Sequence, residues 1–177
     1  VTDIGTMMVN FAGEFSASLW KLLWAIGMLL GCVYTGKTLM RMIKANTVAG
    51  QPPVTLGSII PILLIGGLMF NLPTFINFMW ASVGEGEVSY NAISYKPAQN
   101  FGVLSEAVNS TLTLTSAFGG VFFIKGLMLL KRATLEGQNS QGSDKVGKSL
   151  THMFGGVCLI QITHIIDAAC ESFGIFW

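Results

Sequence analysis

His164 and Asp167 stand three residues apart in the segment THIID, with Gln161 three residues earlier. On a helix these side chains share one face, and a His–Asp pair there is able to relay protons. Ionisable residues inside an apolar run are functional candidates by default. Two observations favour a hydrogen-bonded structural pair instead. Asp167 falls near the end of its apolar run, where headgroup water reaches it. A shift of 90 residues also sets Asn71, Thr74 and Asn77 opposite Gln161, His164 and Asp167, and those three side chains do not titrate near neutral pH. No H-E-x-x-H, phosphate-binding loop or G-x-S-x-G elbow occurs, so no enzyme, metal or cofactor is expected. Cys32, Cys158 and Cys170 lack C-x-x-C spacing and read as small packing residues. His152 reads as a surface residue near the inner interface.

A second feature is the placement of charge. Eight of the ten basic residues fall in two stretches: Lys37, Arg41 and Lys44, then Lys125, Lys131, Arg132, Lys145 and Lys148. Outside those stretches lie Lys21 and Lys96 with seven of the nine acids. Such clusters fix the orientation of apolar segments in a membrane.

These residues need elements to hold them. Only 11% of the 177 residues are charged, 51% are hydrophobic and mean hydropathy is +0.61. Soluble domains carry roughly 25% charged residues. Forty consecutive residues between Lys44 and Glu85 carry no charge, and 18-residue uncharged runs cover Ala107 to Ile124 and Ser149 to Ile166. The composition predicts an all-α membrane protein with four hydrophobic helices: Leu19 to Met40, Ser58 to Ala81, Ala107 to Leu130 and Ser149 to Cys170. Thr2 to Ser18 reads as an amphipathic lead-in, and Ser82 to Ser105 as an irregular polar connection. Pro52 and Pro53 should end the first helix, and Pro73 should bend the second.

The positive-inside rule places both basic loops in the cytoplasm and both termini outside, in agreement with a cleaved N-terminal signal before Val1. Trp20, Trp24, Trp80 and Trp177 fall toward the outer side, as an interfacial aromatic belt would. The shift of 90 aligns eleven identities, Gly36, Gly57, Gly66 and Gly84 among them, together with both basic stretches. It predicts two tandem helical hairpins, residues 1–90 and 91–177, in the same orientation. Gly27 and Gly31 form G-x-x-x-G, and Ser116 and Gly120 a looser small-x-x-x-small. Doubled glycines at Gly66–Gly67, Gly119–Gly120 and Gly155–Gly156 point to close helix packing.

The segment KSLTHMFGGVCLIQITHIID, Lys148 to Asp167, with the layout before it, resembles the small membrane proteins of type IVB secretion and conjugation systems. These are the IcmC/DotE group, its sister IcmD/DotP, and TraQ of IncI-type plasmids. The resemblance covers most of the chain and rests chiefly on His152, Gly155, Gly156 and Gln161, where asparagine is the usual residue at the last. Each half also resembles a type IV secretion pilin, with an outside N-terminus, two apolar helices, a short basic loop and an outside C-terminus. The chain is longer than a single such pilin. The resemblance implies a non-enzymatic subunit stored in the bacterial inner membrane and assembled with phospholipid into a pilus or channel. Its basic loops would then line the lumen. Its implied partners are copies of itself, other secretion components, and transferred DNA or effector protein in passing. Two alternatives use the same features. One is a fixed inner-membrane scaffold of that machine. The other is a small oligomeric transporter or channel, with Asn71, Lys125, Gln161 and His164 along its path.

Overall fold

Proline and polar residues, rather than charge, decide where these helices stop. The computed structural model describes residues 4–50, 55–136 and 140–175, with the side chains of 136 and 140–143 excepted. Among the described residues there is no strand. Helix α1 runs unbroken over Ile4–Thr47, 44 residues or about 66 Å at 1.5 Å per residue. The expected boundary between lead-in and first helix is therefore absent, because nothing in residues 4–47 forbids helix. Asp3, Pro52, Pro53 and Trp177 lie outside the described residues.

The expected second helix is two, α2 (Leu56–Phe70) and α3 (Leu72–Ala81), bent by 98°. Pro73 is the cause. It has no N–H for the Met69 carbonyl, and its ring excludes the preceding turn. The fourth is likewise two, α5 (Ser140–Ile160) and α6 (Ile162–Ser172), bent by 86°, with no proline nearby. Asn71 and Gln161, the break residues, adopt related conformations (φ −122°, ψ 61° and φ −103°, ψ 41°). They are paired by the shift of 90. Between the bent pairs lie an extended connection, a 3-10 segment over Lys96–Leu104, and α4 (Ser105–Glu136). Helices α1 and α4 are each long and apolar enough to cross a membrane, and each bent pair qualifies if counted as one span.

The basic stretches are mostly helical, which corrects the expectation of loops. Lys37, Arg41 and Lys44 lie on α1, Lys125, Lys131 and Arg132 on α4, and Lys145 and Lys148 on α5.

Close glycine contacts set the hairpins. A Cβ at Gly31 would lie 2.8 Å from the Gly66 carbonyl oxygen, and one at Gly119 would lie 2.6 Å from that of Gly156. A Cβ at Gly66 would meet the Gly31 carbonyl and the Thr35 nitrogen, and one at Gly156 the Gly119 carbonyl and the Phe123 nitrogen. The two contacts superpose residue for residue, but not at one shift. Helix α2 maps on α5 at 90, whereas α1 maps on α4 at 88, so the pairing of Gly36 with Gly126 that a uniform shift of 90 predicts does not hold in space. Such approach is open only to glycine, and it brings backbones together without side-chain ordering.

Helix α4 lies beside α1 and runs parallel to it. Gly5 faces Glu106, Phe15 faces Phe118, Gly120 meets Trp20 and Leu23, and Lys131 sits over the Tyr34 ring at 4.3 Å. Gly120 corresponds to Cys32 by the internal register, yet it sits beside residues nine to twelve positions earlier. The second hairpin is therefore displaced along α1 by about 14–18 Å.

The core gathers Trp20, Met69, Ile76, Trp80, Phe123 and Leu127, all nearly inaccessible. Trp20 and Trp80 are thus interior, not members of an exposed belt, because the connection between the hairpins covers them. Large apolar side chains remain exposed along α1 and α2, including Met7, Phe11, Leu29, Ile43 and Leu64.

Candidate functional site

Two polar regions stand out, one at each end of the bundle. The first is the corner where α5 turns into α6. Here the connection between hairpins is held by side chains from four helices. The Val88 N–H donates to Asn77 Oδ1 at 3.0 Å, the Ile93 N–H to Thr113 Oγ1 at 2.9 Å, and the Tyr95 N–H to Asn109 Oδ1 at 2.9 Å. Gln161, buried at the break, donates to the Glu87 carbonyl at 3.3 Å. The Tyr95 hydroxyl donates to Asp167 Oδ1 at 2.6 Å, and that of Tyr90 to the Pro73 carbonyl at 3.2 Å. Each of these bonds satisfies an irregular backbone group or closes a long loop. Tyr90 also sets its ring edge-on to Trp20 and Trp24, at 4.6 and 5.6 Å.

A cavity of about 560 Å³ remains between connection and corner, lined by Glu87, Ser89, Tyr95, Gln161, His164 and Asp167 among others. His164 and Asp167 do not act on one another there. The imidazole packs against Trp80 at 5.6 Å, while the carboxylate accepts from Tyr95. Asn71, on the other corner, is exposed and accepts from the Thr74 hydroxyl at 2.7 Å. The polar residues expected at membrane depth thus mark the corners, where helices end.

Tyr95 offers a handle on this region. Burial first, then the hydrogen bond to Asp167 and its negative charge, push the phenol up to about 12. Because this lies above the ordinary value of about 10, the contribution of the neutral hydroxyl is intact below pH 10 and is lost as pH rises through 12. Burial alone pushes Tyr90 to about 12 as well. Absorbance titration should show two of the three tyrosines ionising near 12, and Tyr95→Phe should remove one of them. Asp167→Asn should lower the Tyr95 value only in part, since burial is the larger cause. Uniform titration near 10 would contradict the docked connection.

The second region is the basic pole. Because α1 and α4 run parallel, Lys37, Arg41, Lys44, Lys131, Arg132, Lys145 and Lys148 collect at one end. Arg41, Lys44 and Lys148 are exposed, whereas Lys131 is half-buried on Tyr34.

Of the packing glycines, Gly27, Gly31, Gly66, Gly119, Gly120 and Gly156 are buried at helix contacts. Gly67 and Gly155 are exposed and touch nothing. Ser116 and Gly120 do not share a partner: Ser116 donates to the Ile160 carbonyl on α5 at 2.9 Å, while Gly120 meets α1. Gly155 and His152 line a shallow apolar hollow of about 190 Å³ with Phe122 and Leu159.

Tyr90, Tyr95, Asn77, Asn109 and Thr113 were not legible as anchors. The one signal was amides within otherwise apolar helices. Cys32 is exposed, Cys158 and Cys170 half-buried, and all three are free. Among the described residues no group of three or more His, Cys, Asp or Glu is placed to hold a metal. No family, curated protein or solved structure matches the chain in comparison.

Proposed function

We propose that this chain is a non-enzymatic structural subunit of a type IVB secretion or conjugative DNA-transfer apparatus. It resides in the bacterial inner membrane as two parallel hairpins, with the basic pole cytoplasmic and both termini periplasmic. Copies assemble with phospholipid into a pilus or channel. The observation that carries this reading is the parallel packing of α1 and α4, which gathers seven bases at one pole. A positively charged pole suits a cytoplasmic face in the bilayer, and a surface for anionic headgroups or nucleic acid in an assembly. The exposed apolar side chains along α1 and α2 suit lipid before assembly and neighbouring subunits after it. The polar corner acts here as a structural fastening.

Mechanical shear of cells followed by fractionation tests the reading. The chain is expected in extracellular filaments as well as in the inner membrane. Retention wholly in the inner membrane, under conditions that support transfer, would make it a fixed scaffold of the machine instead.

A further inference from the structure

Each hairpin carries one face that the internal packing covers only once. In hairpin one the covered face includes Ser16, Trp20 and Leu23, all buried, with Leu19 and Trp24 packed beside them. Gly120 of α4 presses on Trp20 and Leu23, and Tyr90 of the connection closes over Trp20 and Trp24. Shifted by 88, these five positions become Leu104, Ala107, Val108, Thr111 and Leu112. That set lines an open apolar hollow of about 310 Å³ on α4.

A second hollow repeats the correspondence. Phe122, Gly155 and Leu159, on the outer face of α4 and α5, map on Tyr34, Ile65 and Met69. In hairpin one Ile65 and Met69 are buried in the core, and Tyr34 carries Lys131. Both hollows thus lie where the neighbouring hairpin sits in the first half, and both are empty of one in the second.

The covering face is available as well. Gly120 and Lys131, through which α4 reaches hairpin one, map on Cys32 and Ile43 of α1. Cys32 is exposed, as are Leu29, Val33, Leu39 and Ile43 around it. Gly36 nearby has no neighbour within 4 Å, so a partner can approach closely.

We infer that a second copy of this chain docks head-to-tail, its Leu29–Ile43 face of α1 filling the α4 hollow lined by Leu104, Val108 and Thr111. The contact repeats between chains what α4 already makes with α1 within one chain. It is heterologous: each copy offers one covering face and one receiving face, so the contact leaves a free face at each end. The inference deepens the reading of a self-assembling subunit and rests on it for the need to associate.

The internal contact fixes which residues meet. Gly120 lies against Trp20 and Leu23, so Cys32 of one copy lies against Val108 and Thr111 of the next. Within one chain those positions stand some twenty residues apart along the bundle, beyond the reach of a disulfide. The test uses the full chain in cells, with Cys158→Ser, Cys170→Ser and Thr111→Cys, and Cys32 left in place. Mild oxidation is expected to give a ladder of dimers, trimers and larger species, and further replacement Cys32→Ser should abolish it. Val108→Cys is the second variant, should the first fail to accumulate. Dimers alone, or no cross-link in either variant at normal protein level under conditions that support assembly and transfer, would overturn the proposed face. Filaments without a ladder would overturn this face and leave the subunit reading standing. A ladder confined to the inner membrane would keep the face, remove the filament, and show that a bilayer tolerates the displacement between successive chains.

Discussion

Gly119→Ala and Gly156→Ala will each destabilise the chain by about 1–3 kcal/mol, the usual cost of overpacking a close contact. The neighbouring change Gly155→Ala will be neutral or stabilising by up to about 1 kcal/mol, the helix-propensity difference between the two residues. The opposite signs follow from what the new methyl group meets. At Gly119 it would lie 2.6 Å from the Gly156 carbonyl and 2.8 Å from the Ile160 nitrogen. At Gly156 it would lie 2.8 Å from both the Gly119 carbonyl and the Phe123 nitrogen. Backbone atoms of two long helices cannot step aside as a flexible side chain does, so α4 and α5 must separate along their length. At Gly155 there is open space. Gly66 and Gly67 form the same contrast in the first hairpin, softened because the atom nearest a Gly66 methyl, Thr35 Oγ1 at 2.6 Å, belongs to a side chain. Membrane levels and thermal unfolding in detergent measure the effect. Equal effects at positions 155 and 156 would mean that the hairpin is not held by this contact.

For the transfer-apparatus subunit proposed above, replacing Arg41, Lys44 and Lys148 together with glutamine is expected to lower transfer by about tenfold or more at unchanged protein level. This is the lower range of what a focused positive surface supplies toward a polyanion. These three side chains are exposed at one pole, so their loss removes charge without removing packing. Lys131 is a poorer probe, because its ammonium over Tyr34 contributes about 0.5–1 kcal/mol of cation–π attraction. Lys131→Gln will therefore confound charge with stability. Undiminished transfer in the triple variant, with raised salt equally without effect, would reduce the basic pole to a topological signal.

Residue types announced the helices more clearly than their limits. The uncharged runs marked four apolar segments, and Pro73 marked one bend. The bend at Gln161 carries no proline, and its one trace is the pairing with Asn71 at a shift of 90. Lysine, arginine, glutamine and threonine near the hairpin tips look like loop composition but are compatible with helix, so α1 and α4 continue through them. Eight glycines looked alike in sequence. Which six are buried depends on the face that each helix turns to its partner, and periodicity alone does not say which face that is. The bond from Tyr95 to Asp167 joins positions 72 residues apart, and no local pattern encodes it.

The displacement between the hairpins has a consequence for where growth can happen. A rise of about 14–18 Å per hairpin becomes about 28–36 Å per chain if every contact repeats the internal one. That is close to the thickness of the hydrocarbon slab, roughly 30 Å. Two chains joined in this way therefore stand a full storey apart, and a flat bilayer holds one storey. In the plane, the greasy spans of both chains cannot be immersed together, so lipid opposes the very contact that polymerisation needs. The staircase becomes accessible only along the membrane normal, as each chain leaves the slab. For the self-assembling subunit proposed above, confinement in two dimensions would thus keep a dense store from polymerising, with no inhibitor beyond the membrane itself.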